Sequence, residues 1–124
     1  MSFNVEGQIL SFKAENNMTE AYVAVEIGTA AGEVDLPSAA TDIVVGIIQH
    51  TANAGEMVDV MVSGVSKCVT NGAVAKGARV NLAATTGRVD DDQAGYTAVG
   101  LSLEASSGAG EVIPVLLSTP GVAV

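Results

Sequence analysis

Apolar and polar positions alternate most regularly between Tyr96 and Ser118. Val99, Leu101 and Leu103 interleave with Gly100, Ser102 and Glu104, the two-residue period of a strand with one buried face. Ser106, Ser107, Gly108 and Gly110 break the pattern, and Glu111 to Leu117 resumes it as an almost wholly apolar run. The chain carries a related stretch earlier, residues 45–63. Val45-Gly46 stands against Val99-Gly100, and Gly55-Glu56 against Gly110-Glu111. Counted from Gly55, Val58, Val60 and Val62 fall on Ile113, Val115 and Leu117, with one more residue in the second turn. The pattern predicts two related hairpins, at 43–63 and 96–118.

The remaining segments read as short strands between turn signals. Residues 2–12 predict an extended arm running into a first strand; 21–28 and 32–36 predict two more strands. Residues 38–41 are a loop or a single helical turn. The first hairpin is followed by a separate strand at 64–70 after a bend at Gly64. Asn71-Gly72 is a strong turn signal, 78–82 a strand, 88–89 a short return, and Asp90 to Asp92 a solvated loop. Pro114 lies inside the last strand. Because Pro cannot donate to a ladder, that strand is expected at a sheet edge or at a bulge. Asp59, its counterpart in the first hairpin, suits an edge equally well. No segment has a sustained helical period with caps. Roughly nine or ten short strands predict an all-β fold, a small barrel or sandwich. The expected division is an N-terminal arm and first strand at 1–12 and a single β domain at 13–124.

Composition narrows the function classes. The chain has 124 residues, room for one domain, and a chain of this size can bury roughly two-thirds of its unfolded surface. With aromatic residues at 3%, the core must be aliphatic. The net charge of −9 leaves no basic footprint for a phosphate backbone or an anionic membrane. Neither nucleic acid nor membrane is therefore an expected partner. A single Cys rules out an internal disulfide. The N-terminus lacks the basic start and apolar run of a signal peptide, and synthesis in a cytoplasm is expected.

Candidate chemistry is sparse. His50 is the sole histidine, with no Cys or carboxylate at ligand spacing, so a turn role outweighs a base or metal-ligand role. Cys68 sits between Lys67 and Val69 in a strand and reads as a buried thiol without a base to activate it. Gly72 to Arg79 has the glycine spacing of a phosphate loop, but Ala78 stands where Lys is required and Arg79 where Ser or Thr is required. Gly108-Ala109-Gly110 precedes a strand, with Ile113 in place of a third glycine, so it fails as a dinucleotide turn. Asp90 to Asp92 lacks the alternating oxygens and final Glu of a calcium loop. No catalytic residue, cofactor or metal is expected, and the protein reads as a non-enzyme.

From Asn71 onward the chain resembles the C-terminal half of small tailed-phage head decoration proteins, or capsid cement proteins. The resemblance rests on Val74-Ala75-Lys76-Gly77-Ala78-Arg79-Val80, on Gly87-Arg88-Val89, on Val99 to Ala105 and on Gly110 to Leu117, with Val62-Ser63-Gly64-Val65 before them. It covers about residues 42–118; residues 1–40 match less well. It implies a fold like that of the lambda-type head decoration protein and trimers seated on the outer surface of an expanded phage head. It further implies stabilised contacts between major capsid protein subunits, and a place in the virion. On that reading the contact with the capsid is expected in the N-terminal segment, Ser2, Phe3, Asn4, Val5, Glu6, Gly7 and Gln8. An extended chain with alternating apolar side chains can add to a neighbour's sheet edge. The competing expectation is that this segment is the first strand of its own barrel. Two other function classes fit less well. A lipoyl or biotinyl carrier would use Lys67, but that residue lies within a strand and not at an exposed turn. A sugar-binding sandwich would need aromatic platforms, and only Phe3, Phe12, Tyr22 and Tyr96 exist.

Overall fold

The computed structural model describes residues 6–83, 85–91 and 95–118. Among them lie nine strands and no helix: β1 (Glu6–Ala14), β2 (Ala24–Ile27), β3 (Glu33–Asp35), β4 (Gly46–Ile48), β5 (Met57–Val69), β6 (Arg79–Leu82), β7 (Val89–Asp91), β8 (Ala98–Ser102) and β9 (Val112–Leu117). The class is all-β. The strands form one mixed sheet in the order β1-β3-β2-β4-β5-β9-β8-β6-β7, and β1 also pairs with β5.

That extra pairing closes β1, β3, β2, β4 and the first part of β5 into a ring. The second part of β5 continues through β9, β8, β6 and β7, and a parallel bridge between Thr70 and Val89 closes this second ring. The thirteen-residue strand β5 serves both rings. Its Met57–Val65 stretch pairs with β1 and its Val65–Val69 stretch with β9.

The two rings repeat each other's pairings. Ile47 opposes Met61 and Ile48 opposes Val60; Leu101 opposes Leu116 and Ser102 opposes Val115. Ala14 pairs in parallel with Val34, as Thr70 does with Val89. Ile27 opposes Val34, as Leu82 opposes Val89. The bridge Met18–Ala52 has its counterpart in Val74–Ser106. Gly55 donates its N–H to the Ala14 carbonyl, and Gly110 donates to that of Thr70, both glycines at positive φ. A Cβ at Gly46 would strike the Met61 carbonyl, and one at Gly100 the Leu116 carbonyl. Each ring therefore needs a glycine where strand and hairpin partner pass closest.

Each ring has its own aliphatic core. Val23, Val25, Val34, Ile48, Val58 and Val60 fill the first, with Met18 and Ala14. Val80, Leu82, Val89, Val99, Ile113 and Val115 fill the second, joined by Ala24, Val44 and Ile47 from the first ring. Burial of these side chains, each worth about 1.5–3 kcal/mol for a Val, Leu or Ile, is what the alternating pattern encodes.

Four expectations need correction. Residues 57–69 form one strand: a bulge opposite Gln8 and Ile9 leaves Val62 unopposed, and Gly64 takes φ 101° without breaking the ladder. Strand β9 is not an edge, since it lies between β5 and β8. A strand residue points its N–H and C=O to the same side. The Pro114 carbonyl accepts from Leu103 N–H (2.9 Å), so its missing donor faces the β8 side, just past the end of β8 at Ser102. No ladder bond is lost there. Strand β2 begins at Ala24 and not at Ala21, because Tyr22 adopts φ 64°. Asp90 and Asp91 belong to β7; Asp92 lies outside the described residues.

Candidate functional surface

The first part of β1 is open to solvent over six consecutive residues. One side of β1 pairs with β5 along its whole length, from Glu6–Val65 to Lys13–Met57. The other side meets β3 only at Lys13 and Ala14. Glu6 to Ser11 are exposed, with Ile9 47% and Leu10 44% accessible. Of the segment expected to touch the capsid, Glu6, Gly7 and Gln8 pair with Val65, Gly64 and Ser63 of the same chain. Ser2, Phe3, Asn4 and Val5 lie outside the described residues. At the crossing, a Cβ on Gly7 would strike the Ser63 carbonyl and one on Gly64 the Glu6 carbonyl, so the backbones touch with no room for side chains.

The candidate reactive residues do not converge. The His50 ring fills a backbone role: Nε2 accepts the Asp59 N–H (3.1 Å) and Nδ1 bonds to the Thr51 carbonyl (2.9 Å). An amide must donate and a carbonyl must accept, so these partners place the ring proton on Nδ1. The bond completes the hairpin where Pro114, the counterpart of Asp59, has no N–H to offer. Cys68 is fully buried, and burial pushes its thiol up, away from the reactive thiolate. Lys67 stands mid-strand opposite Pro114, its ammonium 5.3 Å from the centre of the Tyr22 ring; it is not the exposed turn lysine of a carrier. Among the described residues no group of three or more His, Cys, Asp or Glu is placed to hold a metal ion.

Two charged arrangements were not legible in the sequence. Burial pushes the Glu26 carboxyl up to about 7, aided by its hydrogen bond to Asp42 and by the charges of Asp42, Asp35 and Glu15. Asp42 is held low by that hydrogen bond and by the Ser38 and Ala39 amides (2.8 and 3.0 Å). The two carboxyls share a proton across a shallow hollow of about 450 Å³ walled by Ile27 and Ile43. In the second, Arg88 grips Glu20 with two bonds, Nε to Oε1 at 2.9 Å and NH2 to Oε2 at 2.8 Å. This pair ties the turn before β7 to the loop before β2. It lines a hollow of about 390 Å³ with Thr19, Thr85 and Thr86, but its guanidinium is committed to Glu20. Contacts this distant in sequence, 68 residues apart, leave no local signal.

The described residues form a glycine-pinned all-β body of two repeated rings, with charged pairs joining its parts. The family profile described as phage cement protein matches residues 4–117. The chain belongs to the phage cement protein family, and is a structural protein of the phage head. No match was found among curated protein sequences. Among solved structures, the head fiber gp8.5 N base of bacteriophage phi29 is similar in fold, with TM-score 0.69 at 13% identity, covering 94% of this chain and 98% of that one.

Proposed function

We propose that this protein binds the outer surface of an expanded phage head and bridges neighbouring major capsid protein subunits, as a homotrimer. The observation that carries this reading is the open side of β1, where exposed Ile9 lies beside backbone groups with no partner strand among the described residues. Such an edge accepts another chain by strand addition, with backbone bonds supplying affinity and alternate side chains supplying register. Ser2 to Gln8 is the proposed capsid contact. Preferential binding to the expanded shell stabilises it by mass action, and many copies add their effects. The charge of −9 favours a partner surface of complementary sign.

Deleting residues 2–8 tests the contact. The truncated protein is expected to fold, because Ile9 to Lys13 still pair with β5, and to lose binding to heads at least tenfold in a sedimentation titration. Unchanged affinity would remove this segment from the interface.

A further inference from the structure

Within the molecule, one end of the second ring is covered by the first. Ser66, Leu82 and Thr97 mark that end and are each 0% exposed. Gln49 Nε2 of the first ring donates to Ser66 Oγ (3.0 Å). Thr97 donates through Oγ1 to the Asp42 carbonyl (2.6 Å) and through N–H to that of Ala40 (2.8 Å). Leu82 shares an apolar cluster with Ala24, Val44 and Ile47. The Ala24 N–H bonds to the Gly87 carbonyl (2.7 Å), and Arg88 grips Glu20.

The repeat of pairings places the same positions on the first ring. Ser66 opposes Val115 as Leu10 opposes Val60, so Leu10 is the counterpart of Ser66. Ile27 corresponds to Leu82. Counting back from Gly46 and Gly100, Ile43 corresponds to Thr97. Leu10, Ile27 and Ile43 are 44%, 61% and 59% exposed. Three positions that are sealed in one ring are open and carry large aliphatic side chains in the other. Gly32, the counterpart of Gly87, has nothing within 4 Å of the Cβ position.

The covering residues repeat too. Ala24 opposes Ile47 as Arg79 opposes Leu101. Gln49 donates its N–H to Asp59, and Leu103 donates to Pro114. So Arg79, Leu101 and Leu103 are the counterparts of Ala24, Ile47 and Gln49 at the far end of the molecule, where Leu101 is 40% exposed while Ile47 is 0%. Charge follows the same logic with the signs exchanged. The counterpart of Arg88 is Glu33, and the stretch corresponding to Glu20 carries Lys76.

We propose that a second copy of this chain docks head to tail, its Lys76, Arg79, Leu101 and Leu103 face seated over Leu10, Ile27 and Ile43, repeating between molecules the junction that already exists within each. Opposite charge favours this direction: Glu33 and Asp42 lie on one face, Lys76 on the other. Two like faces would bring acid to acid. The contact is heterologous, so its rotation decides between a closed ring and an open chain. It gives a geometry to the self-association proposed above and rests on that reading in this respect alone.

The internal Gln49–Ser66 contact selects the test pair, since its counterpart between copies is Leu103 with Leu10. Leu10→Cys and Leu103→Cys proteins are mixed, oxidised gently, and resolved on a non-reducing gel, both in concentrated solution and bound to expanded heads. Disulfide-linked pairs of unlike variants are expected, at least tenfold above the yield of either variant alone. Ile27→Asp should weaken self-association in sedimentation at least tenfold, and Val112→Asp, an exposed site outside both faces, should leave it unchanged. Like-with-like crosslinks, no crosslinks in either setting, or an inert Ile27→Asp would overturn the head-to-tail contact. Heads coated normally in the absence of unlike crosslinks would sink this contact and leave the capsid role standing. Unlike crosslinks in solution with no coating of heads would do the reverse.

Discussion

At single positions, charge and hydrogen bonding do structural work. Glu26 prefers its protonated form in the folded protein, at about 7, against an ordinary carboxylate value in the unfolded chain. A proton held more tightly by the folded state makes stability fall as pH rises from about 4.5 to about 7, with little further change above. Asp42, held low, contributes in the opposite sense: its stabilisation is present above the unfolded carboxylate range and is lost only in stronger acid. Urea midpoints are therefore expected to be higher at pH 5 than at pH 8, and Glu26→Gln, which keeps a donor for Asp42, should flatten that difference. A midpoint that rises from pH 5 to pH 8 would contradict the shared proton. His50→Ala removes the acceptor of one exposed amide, where water can substitute, so the expected cost is about 0.5–1 kcal/mol. Faster hydrogen exchange at the Asp59 amide would report it directly.

Between elements, the glycines set what can be changed. Gly46 and Gly100 occupy corresponding crossings, each with a carbonyl and a valine methyl in the space of a Cβ. Gly46→Ala and Gly100→Ala are expected to cost similar amounts, about 1–3 kcal/mol each, by forcing the strands apart. Gly110→Ala meets open space and costs only its positive φ, about 1–2 kcal/mol. Denaturant titration of the three variants checks this order. The strand content and the hairpin turns were legible because they rest on local signals: period-two alternation, and the matching Gly55-Glu56 and Gly110-Glu111 steps at the turns. The continuity of β5 was not legible, because Gly64 reads as a break unless the partner strand and its bulge are known. The interior place of β9 was hidden for a similar reason. Pro114 forbids a ladder bond on one side only, and which side is a matter of tertiary register.

Across the whole molecule, the two rings are joined by the long strand β5, by the shared core at Ala24, Val44 and Ile47, and by the Arg88–Glu20 pair. The pair is partly exposed, 27% and 39% at its side chains, so Arg88→Ala should cost no more than about 1 kcal/mol. A loss well beyond that would mean the pair holds the junction together. Composition argued against nucleic acid as a partner, and the strand-and-glycine pattern pointed to the cement family. Burial at the junction could not be read from the sequence, because Ile47 and Leu101 are equally apolar and differ only in what covers them. The same holds for Leu10 and Ile27, whose exposure is visible only once both rings are in place.

The proposed role, holding an assembled shell together, has a direct measurement. Expanded heads lacking it are to be titrated with the purified protein, sedimented, and then heated while genome release is followed. Saturable binding at a fixed ratio to the major capsid protein, with release shifted to higher temperature in proportion to occupancy, is the predicted result. Protein left in the supernatant at every concentration, or bound protein with no shift in release temperature, would contradict it.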